Sequence, residues 1–372
     1  MLQEAMCSLE LSEQDLALAL DQDTLDTMIA TIIVSCPNLK VLHLHSLFLF
    51  QNTVLSKVLY HFVSRNPGGS APALRKLERV YLSQEPSFWC KTERRLLEVQ
   101  LSPYLSFFHL PSLRFFFASL PDRKESVDRA CPSDWPTSRL TVCAIRKLIL
   151  PASRAQPTTL AFIIKQTPHL RSLIYDHCTK ERVDCMELRH ALKFVSHTLT
   201  ELVIAISSYG CRSRVGERSS WTEGAQGIGS LAFLSHLTKL EIALPILLNW
   251  RGDGGMKLKD VLPYTLEDFC IRDDFVDSDG NAFDEFQTVE EIQNWIGSKV
   301  WQRCTPNLKR VGLRLDQSVD LHWLKEPRNK IRNICEMEML DFWFAKQEPD
   351  LEFDEVEGIW VGEWDPLRTR NS

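Results

Sequence analysis

The sequence lacks any run of about 18 apolar residues, so no membrane-spanning helix and no membrane partner is expected. It lacks a basic stretch ahead of an apolar core at its start. There "MLQEAMCSLELSEQDL" is acidic and does not read as a secretory signal. Residues 1–39 hold seven acids and no Lys or Arg. Regularly paired cysteines are missing too. The eleven present are dispersed, which points to reduced thiols in a cytoplasmic or nuclear setting, most of them small buried apolar residues. Neither a nucleophile elbow nor a phosphate loop occurs, and "GAQGIGS" lacks the preceding strand and the spacing of a dinucleotide fingerprint. "DHCTKERVDC" places His177, Cys178 and Cys185, with His190 beyond, at no usual zinc spacing. "DDFVDSDGNAFDEF" (273–286) resembles a calcium loop only loosely. Aligning Gly280 with the loop glycine puts Phe275 and Phe286 where oxygen donors are required, so a polar turn or acidic insertion is expected. These gaps argue against an enzyme, a hydrolase included, and against a metal or other cofactor.

What is present is an ordinary globular balance, 44% hydrophobic and 25% charged over 372 residues. The net charge of −6 is unevenly laid out. Residues 336–372 carry eleven acids and three bases, which leaves 40 bases against 31 acids in residues 40–335. A mildly basic middle lies between acidic ends, too diffuse to indicate a nucleic-acid binder.

The specific signal is a repeated phrase, "CPNLKVLHL" at Cys36–Leu44 and "CTPNLKRVGL" at Cys304–Leu313. Leu39/Leu42/Leu44 and Leu308/Val311/Leu313 share the spacing L-x-x-L-x-L. Further copies are Leu77/Val80/Leu82, Leu113/Phe116/Ala118, Ile145/Leu148/Leu150, Leu170/Leu173/Tyr175, Leu199/Leu202/Ile204, Leu237/Leu240/Ile242 and Leu266/Phe269/Ile271. Weaker ones lie at Met6/Leu9/Leu11 and Met337/Leu340/Phe342. Eleven copies at steps of 25 to 42 residues, clustered near 30, define a repeat array. Side chains alternate along a strand, so the two apolar residues of L-x-L share one face. One unit cannot bury that face alone, whereas stacked units build a parallel sheet over a continuous core.

Helical patterns separate the triplets. Residues 24–35 put Leu25, Met28, Ile29, Ile32 and Ile33 on one stripe, and residues 54–63 do the same with Leu55, Val58, Leu59 and Phe62. "DCMELRHALKFV" opens with Asp184 and Glu187 at capping-box spacing, then Leu188, Leu192 and Val195. "TVEEIQNWIGSKV" opens with Thr288 and Glu291, then Ile292, Ile296 and Val300. The fold class expected is therefore α/β, an irregular leucine-rich-repeat solenoid or horseshoe, with parallel strands on the concave face and helices outside. An ordinary α/β domain with a parallel sheet is the bland alternative. The solenoid spans 1–345, with loop insertions near 65–73, 119–139, 207–230 and 273–286. Residues 346–372 form an acidic C-terminal cap or tail. Cys36 and Cys304 are expected to end helices and pack inside.

The "C-P-N-L-K-x-L-x-L" phrase resembles the leucine-rich repeats of F-box proteins. The irregular steps, aromatic substitutions and acidic tail with Trp360 and Trp364 resemble the F-box/leucine-rich-repeat families of filamentous fungi. The resemblance implies a protein-interaction module, the substrate-recognition part of an F-box-type ubiquitin-ligase receptor. Two departures accompany it. Of the positions three residues beyond the last repeat leucine, usually Asn or Cys, only Cys178 fits. The F-box segment itself is not present, so docking on a cullin-ligase adaptor is expected only if such a segment exists; a stand-alone scaffold is the alternative.

Partner recognition on such a fold falls to the residues between the leucines. The concave-face candidates are Lys40, His43, Arg114, Phe115, Phe117, Arg146, Lys147, Arg171, Lys309, Arg310 and Arg314. Basic residues follow the first repeat position at Lys40, Arg114, Arg146, Arg171 and Lys309. Stacking at about 5 Å would form a row suited to an acidic or phosphorylated protein partner; a solvated row neutralised by nearby acids is the alternative. Phe115 and Phe117 are exposed aromatics of the hot-spot kind, unless an insertion covers them. His43 and His45 alternate on one strand as exposed residues.

Overall fold

The computed structural model describes residues 25–45, 55, 74–83, 102–121, 143–178, 185–207, 227–248, 256–274, 285–316, 325–347, 353–354 and 359–360. The chain forms two compact units, Met1–Leu170 and Arg171–Ser372.

The first unit holds β1 (Val41–His45), β2 (Arg79–Ser83), β3 (Phe115–Ala118) and β4 (Lys147–Ser153), paired in sequence order and all parallel. Their register aligns Leu42, Val80, Phe116 and Leu148 in one line. All four are buried, and Phe107 and Phe108 pack on the Phe116 ring at 6.0 and 5.0 Å between centroids. The second unit holds β5 (Ser172–Cys178), β6 (Glu201–Ser207), β7 (Lys239–Ala243), β8 (Asp268–Arg272), β9 (Arg310–Asp316) and β10 (Asp341–Gln347), again parallel and in order. Here Leu173, Leu202, Leu240, Phe269, Val311 and Phe342 share a line, and Tyr175, Ile204, Ile242, Ile271, Leu313 and Phe344 the next. Nine of the eleven expected triplets thus coincide with strands. Met337/Leu340/Phe342 is displaced by two residues, since Met337 ends the preceding helix, exposed, and Phe342 and Phe344 are the residues that enter the two lines; Met6/Leu9/Leu11 lies outside the described residues.

The backbone repeats as faithfully as the side chains. The first triplet residue donates its amide to the carbonyl three residues earlier in Leu39, Leu77, Leu113, Leu170, Leu237, Leu266 and Leu308, at 3.0–3.3 Å. That tight turn is the structural content of the "PNL" phrase. The residue after it then uses one carbonyl twice. Lys40 O accepts from Glu78 N and Arg79 N, Glu78 O from Arg114 N and Phe115 N, and Arg114 O from Arg146 N and Lys147 N, all at 2.8–3.1 Å. In the second unit Arg171, Thr200, Thr238 and Glu267 repeat the pattern toward the next strand. Turn and shared carbonyl together set each strand's register against its neighbour.

Helices cover the core side. They include α1 (Leu25–Ser35) and α2 (Pro157–Gln166) in the first unit, with α3 (Cys185–Leu192), α4 (Glu285–Ile292) and α5 (Lys325–Met337) in the second. In α2, Pro157 occupies the first turn, where its missing N–H costs nothing, and Leu160, Ile163 and Ile164 are buried. Leu188 and Leu192 of α3 and Val195 just beyond it are buried as the spacing predicts. Beyond α4, Trp295 lies edge-on to Phe269 at 5.6 Å. At the last strand Phe342 and Phe344 are half-buried beneath α5, under the guanidinium groups of Arg332 (5.6 Å) and Arg328 (5.0 Å). Long cationic side chains replace the next unit's leucines there.

Three expectations change. Among the residues of α1 whose burial is described, Ala30 and Ile33 are buried while Met28 and Ile32 are exposed, so the expected apolar stripe is wider than the contact it makes. Thr288 does not cap a helix: α4 begins at Glu285 and Thr288 is buried inside it. Cys36 and Cys304 are half-buried rather than packed inside. Of the helix expected at 54–63 only Leu55 is described, helical and buried. The insertions near 65–73, 119–139, 207–230 and 273–286 lie largely outside the described residues, as does the calcium-like stretch beyond Asp274. In the tail, Phe353–Asp354 pairs antiparallel with Ile359–Trp360. Among the described residues no helix is long and apolar enough to cross a membrane.

Candidate functional site

On the strand face that carries no triplet leucines, the first unit presents two lines of side chains. Val41, Arg79, Phe115 and Lys147 are in register, followed two residues on by His43, Tyr81, Phe117 and Ile149. The second line is an aromatic ladder. The rings of His43 and Tyr81 stack at 4.2 Å with planes 9° apart, and Tyr81 meets Phe115 at 4.8 Å and Phe117 at 6.1 Å. Parallel pairing in exact register brings like positions of successive units within ring-contact distance. His43 is exposed and Tyr81, Phe115 and Phe117 are half-exposed. Partial burial against Tyr81 lowers the His43 pKa, so the ring is neutral at neutral pH.

Ahead of these lines, at the strand entries, stand Lys40, Glu78, Arg114 and Arg146. The three cations are exposed, and Glu78 interrupts the row expected from sequence. Lys40, Arg79, Arg114, Arg146 and Lys147 make no ion pair among the described residues. Glu78 is the one acid on the described parts of these four strands and the turns entering them.

No protein-family model matches this chain, and no curated protein matches it. The reading of its surfaces therefore rests on their geometry.

The equivalent face of the second unit is built on the opposite principle. Its first line reads Ser172, Glu201, Lys239, Asp268, Arg310 and Asp341, with charges alternating from Glu201 onward. Ser172 Oγ donates to Glu201 Oε2 at 2.5 Å, and Arg310 Nη2 to Asp268 Oδ2 at 2.6 Å. Lys309 pairs with Glu267 at 2.7 Å. Arg171 is exposed at its strand entry, beside Thr200. Behind the first line the face is buried from β5 to β9. Arg272 donates to Glu241 Oε1 and, at 2.9–3.0 Å, to both oxygens of Asp274, whose Oδ2 also accepts from Ile206 N–H. Burial opposes the Arg272 charge, but Asp274 and Glu241 more than offset it and keep the guanidinium ionised. Arg314 Nε sits 2.7 Å from the same Glu241 Oε1, at an angle that makes an ion pair rather than a hydrogen bond. Cys270 lies among these groups, and burial holds its thiol well above the usual range. The Trp343 indole covers Gly312, donates to Asp268 Oδ1 at 3.5 Å, and has the Arg314 guanidinium 5.9 Å from its ring centre.

The expected site residues therefore divide. His43, Phe115, Phe117 and Lys147 come together on one open face, bordered by Lys40, Arg114 and Arg146. Lys309 and Arg310 are neutralised by acids of the neighbouring repeat, and Arg314 is buried against Glu241. Asp268 and Glu267 belong to the adjacent repeat, on its strand and at that strand's entry, and Glu241 to the strand beyond it. Sequence reasoning passed over Tyr81, which joins His43 to Phe115 and Phe117, and Arg79, which stands between Val41 and Phe115 in the first line. Their signal was present: in "LERVYL" they occupy the positions that Phe117 and Phe115 hold in "LRFFFA". His177 is buried on the core side, within 2.8 Å of the Tyr175 hydroxyl, while His190 is exposed on α3. Among the described residues no group of three or more His, Cys, Asp or Glu side chains is placed to hold a metal ion.

Proposed function

We propose that this protein is a non-enzymatic recognition module. In this reading it is an irregular leucine-rich-repeat horseshoe that holds a protein partner on the open strand face of its first unit. The observation that carries the reading is the His43–Tyr81–Phe117 ladder. Three aromatic side chains in register, with Phe115 beside them, stay partly in water beside cations that make no ion pair among the described residues. A solvent-facing surface with no ligand would gain from polar residues there, as the second unit's first line shows. Aromatic and arginine side chains grouped on an open face are the composition of interface hot spots. The cytoplasmic or nuclear role we assign is substrate recognition for an F-box-type ubiquitin ligase, a role that rests on the resemblance of the repeats to those of F-box proteins.

Two measurements separate the parts of this proposal. Co-purification with the adaptor subunit of a cullin ligase tests the ligase role; absence of binding favours a stand-alone scaffold. Substitution of Tyr81 by Ser tests the recognition surface. It should abolish capture of the protein's partner while leaving the near-ultraviolet circular dichroism of the fold unchanged. Capture that persists would place recognition elsewhere.

A further inference from the structure

We propose that the open face of the first unit takes an extended, carboxylate-rich segment of a protein, in which an acidic residue lies two positions from a large apolar one. The proposal rests on the recognition reading above and adds the chemistry and spacing of the guest.

Charge complementarity supplies the first part. Lys40, Arg79, Arg114 and Arg146 are exposed and Lys147 half-exposed, none of them ion-paired among the described residues, against the single acid Glu78. Like charges gathered on one face without partners repel one another, and carboxylates laid across them relieve that repulsion. The second unit relieves the same problem internally, through Asp268 and Glu267.

Spacing supplies the second part. Along β2, β3 and β4, Arg79 precedes Tyr81, Phe115 precedes Phe117 and Lys147 precedes Ile149 by two residues. That step is about 6.6 Å on a strand, and it is also the distance between same-face side chains of an extended guest. A guest lying along the strands would therefore set one side chain over the cationic line and its second neighbour over the aromatic line.

Ring orientation chooses between classes of guest. Single-stranded nucleic acid binds such sheets by stacking bases on free ring faces. Here the faces of His43 and Tyr81 are turned to each other, and the far side of Tyr81 is turned to Phe115 and Phe117. Ring faces that a base would need are thus taken up within the ladder, which favours a guest that packs aliphatic or aromatic side chains against it.

The test is selection from a random peptide library on the immobilised full chain, with counter-selection on two variants. One is Tyr81→Ser; the other combines Arg79→Glu with Lys147→Glu. Enriched peptides should carry Asp or Glu two positions from Phe, Trp or Leu. Their affinity should fall about tenfold or more in each variant and weaken with added salt. Enriched peptides that need Tyr81 but are neutral or basic would overturn the acidic guest and leave the recognition surface standing; acidic peptides with no preferred spacing would overturn the alignment along the strands. Enrichment indifferent to both variants, or tighter binding of oligouridine than of any peptide, would overturn both readings. Should Tyr81→Ser fail to fold, the charge reversal decides alone, since both of its sites face solvent.

Discussion

Removing the Glu241 carboxylate should be among the most destabilising single changes in the second unit. The side chain is 2% exposed and serves two guanidinium groups, Arg272 at 4% and Arg314 at 8%. Arg272 would retain Asp274; Arg314 would lose its one anionic partner among the described residues. Leaving a buried charge uncompensated costs about 3–5 kcal/mol, which is a large part of the roughly 5–15 kcal/mol that holds a domain folded. Glu241→Gln keeps the volume and one acceptor and should cost less than Glu241→Ala. The assay is urea unfolding followed by tryptophan fluorescence, paired with hydrogen exchange at the β8 amides. Exchange reads the second unit directly and does not require the whole chain to unfold in one step. Because the groups are buried, added salt at about 0.5 M should change the loss little. A loss below about 1 kcal/mol, or one that salt erases, would mean that water reaches the cluster, and would refute the buried-pair argument.

Further outcomes are expected elsewhere. Gly312→Ala should cost about 1–3 kcal/mol, because an added Cβ would lie 2.2 Å from Trp343 Cε2; in the Trp343→Ala background the same change should be close to neutral, which a double-mutant cycle reads. His109 should confer acid sensitivity. Burial lowers its pKa from 6.5 to about 4, so the folded state resists a proton that the unfolded state accepts. The group contributes nothing above pH 6.5, and stability falls as pH drops from 6.5 toward 4; urea midpoints across that range should fall less steeply in His109→Gln. Leu313→Ala, at a fully buried site, should cost about 2–5 kcal/mol, and Leu42→Ala, at 7% exposure on the first described strand, should fall at the low end of that range. A neutral result in denaturant unfolding would remove that triplet from the core.

The strands were legible because a triplet encodes a complete local event. A turn closes from the first leucine to the carbonyl three residues back, and two alternating residues then enter the core. Helix faces were less legible. Leu25, Met28, Ile29, Ile32 and Ile33 make an apolar band wider than one contact needs, and periodicity alone does not say which edge of the band is used. The reading of Thr288 as a cap failed for a related reason: capping-box spacing is satisfied inside a helix as readily as at its start, and only the backbone distinguishes them. For the candidate site, His43, Phe115, Phe117, Lys147, Arg310 and Arg314 lie in strand register, while Lys40, Arg114, Arg146, Arg171 and Lys309 stand at the strand entries. Counting bases alone was not enough. Whether a lysine or arginine is free depends on residues one or two strands away, tens of positions distant in sequence: Lys147 faces Phe115, whereas Arg310 faces Asp268 and Arg314 reaches Glu241. Aligning the repeats column by column, acids included, would have separated the two faces and picked out Tyr81.

The doubly used carbonyl at each strand entry has a consequence for how such a chain can vary. A strand takes its position from the strand before it, through bonds made at the entry itself, so the length of the return path between them is left unconstrained. Steps of 29 and 42 residues accordingly deliver their strands in the same register. Residues can be added or removed along the return path without shifting a single pair across the sheet. The columns of side chains offered to a partner can then be edited one strand at a time.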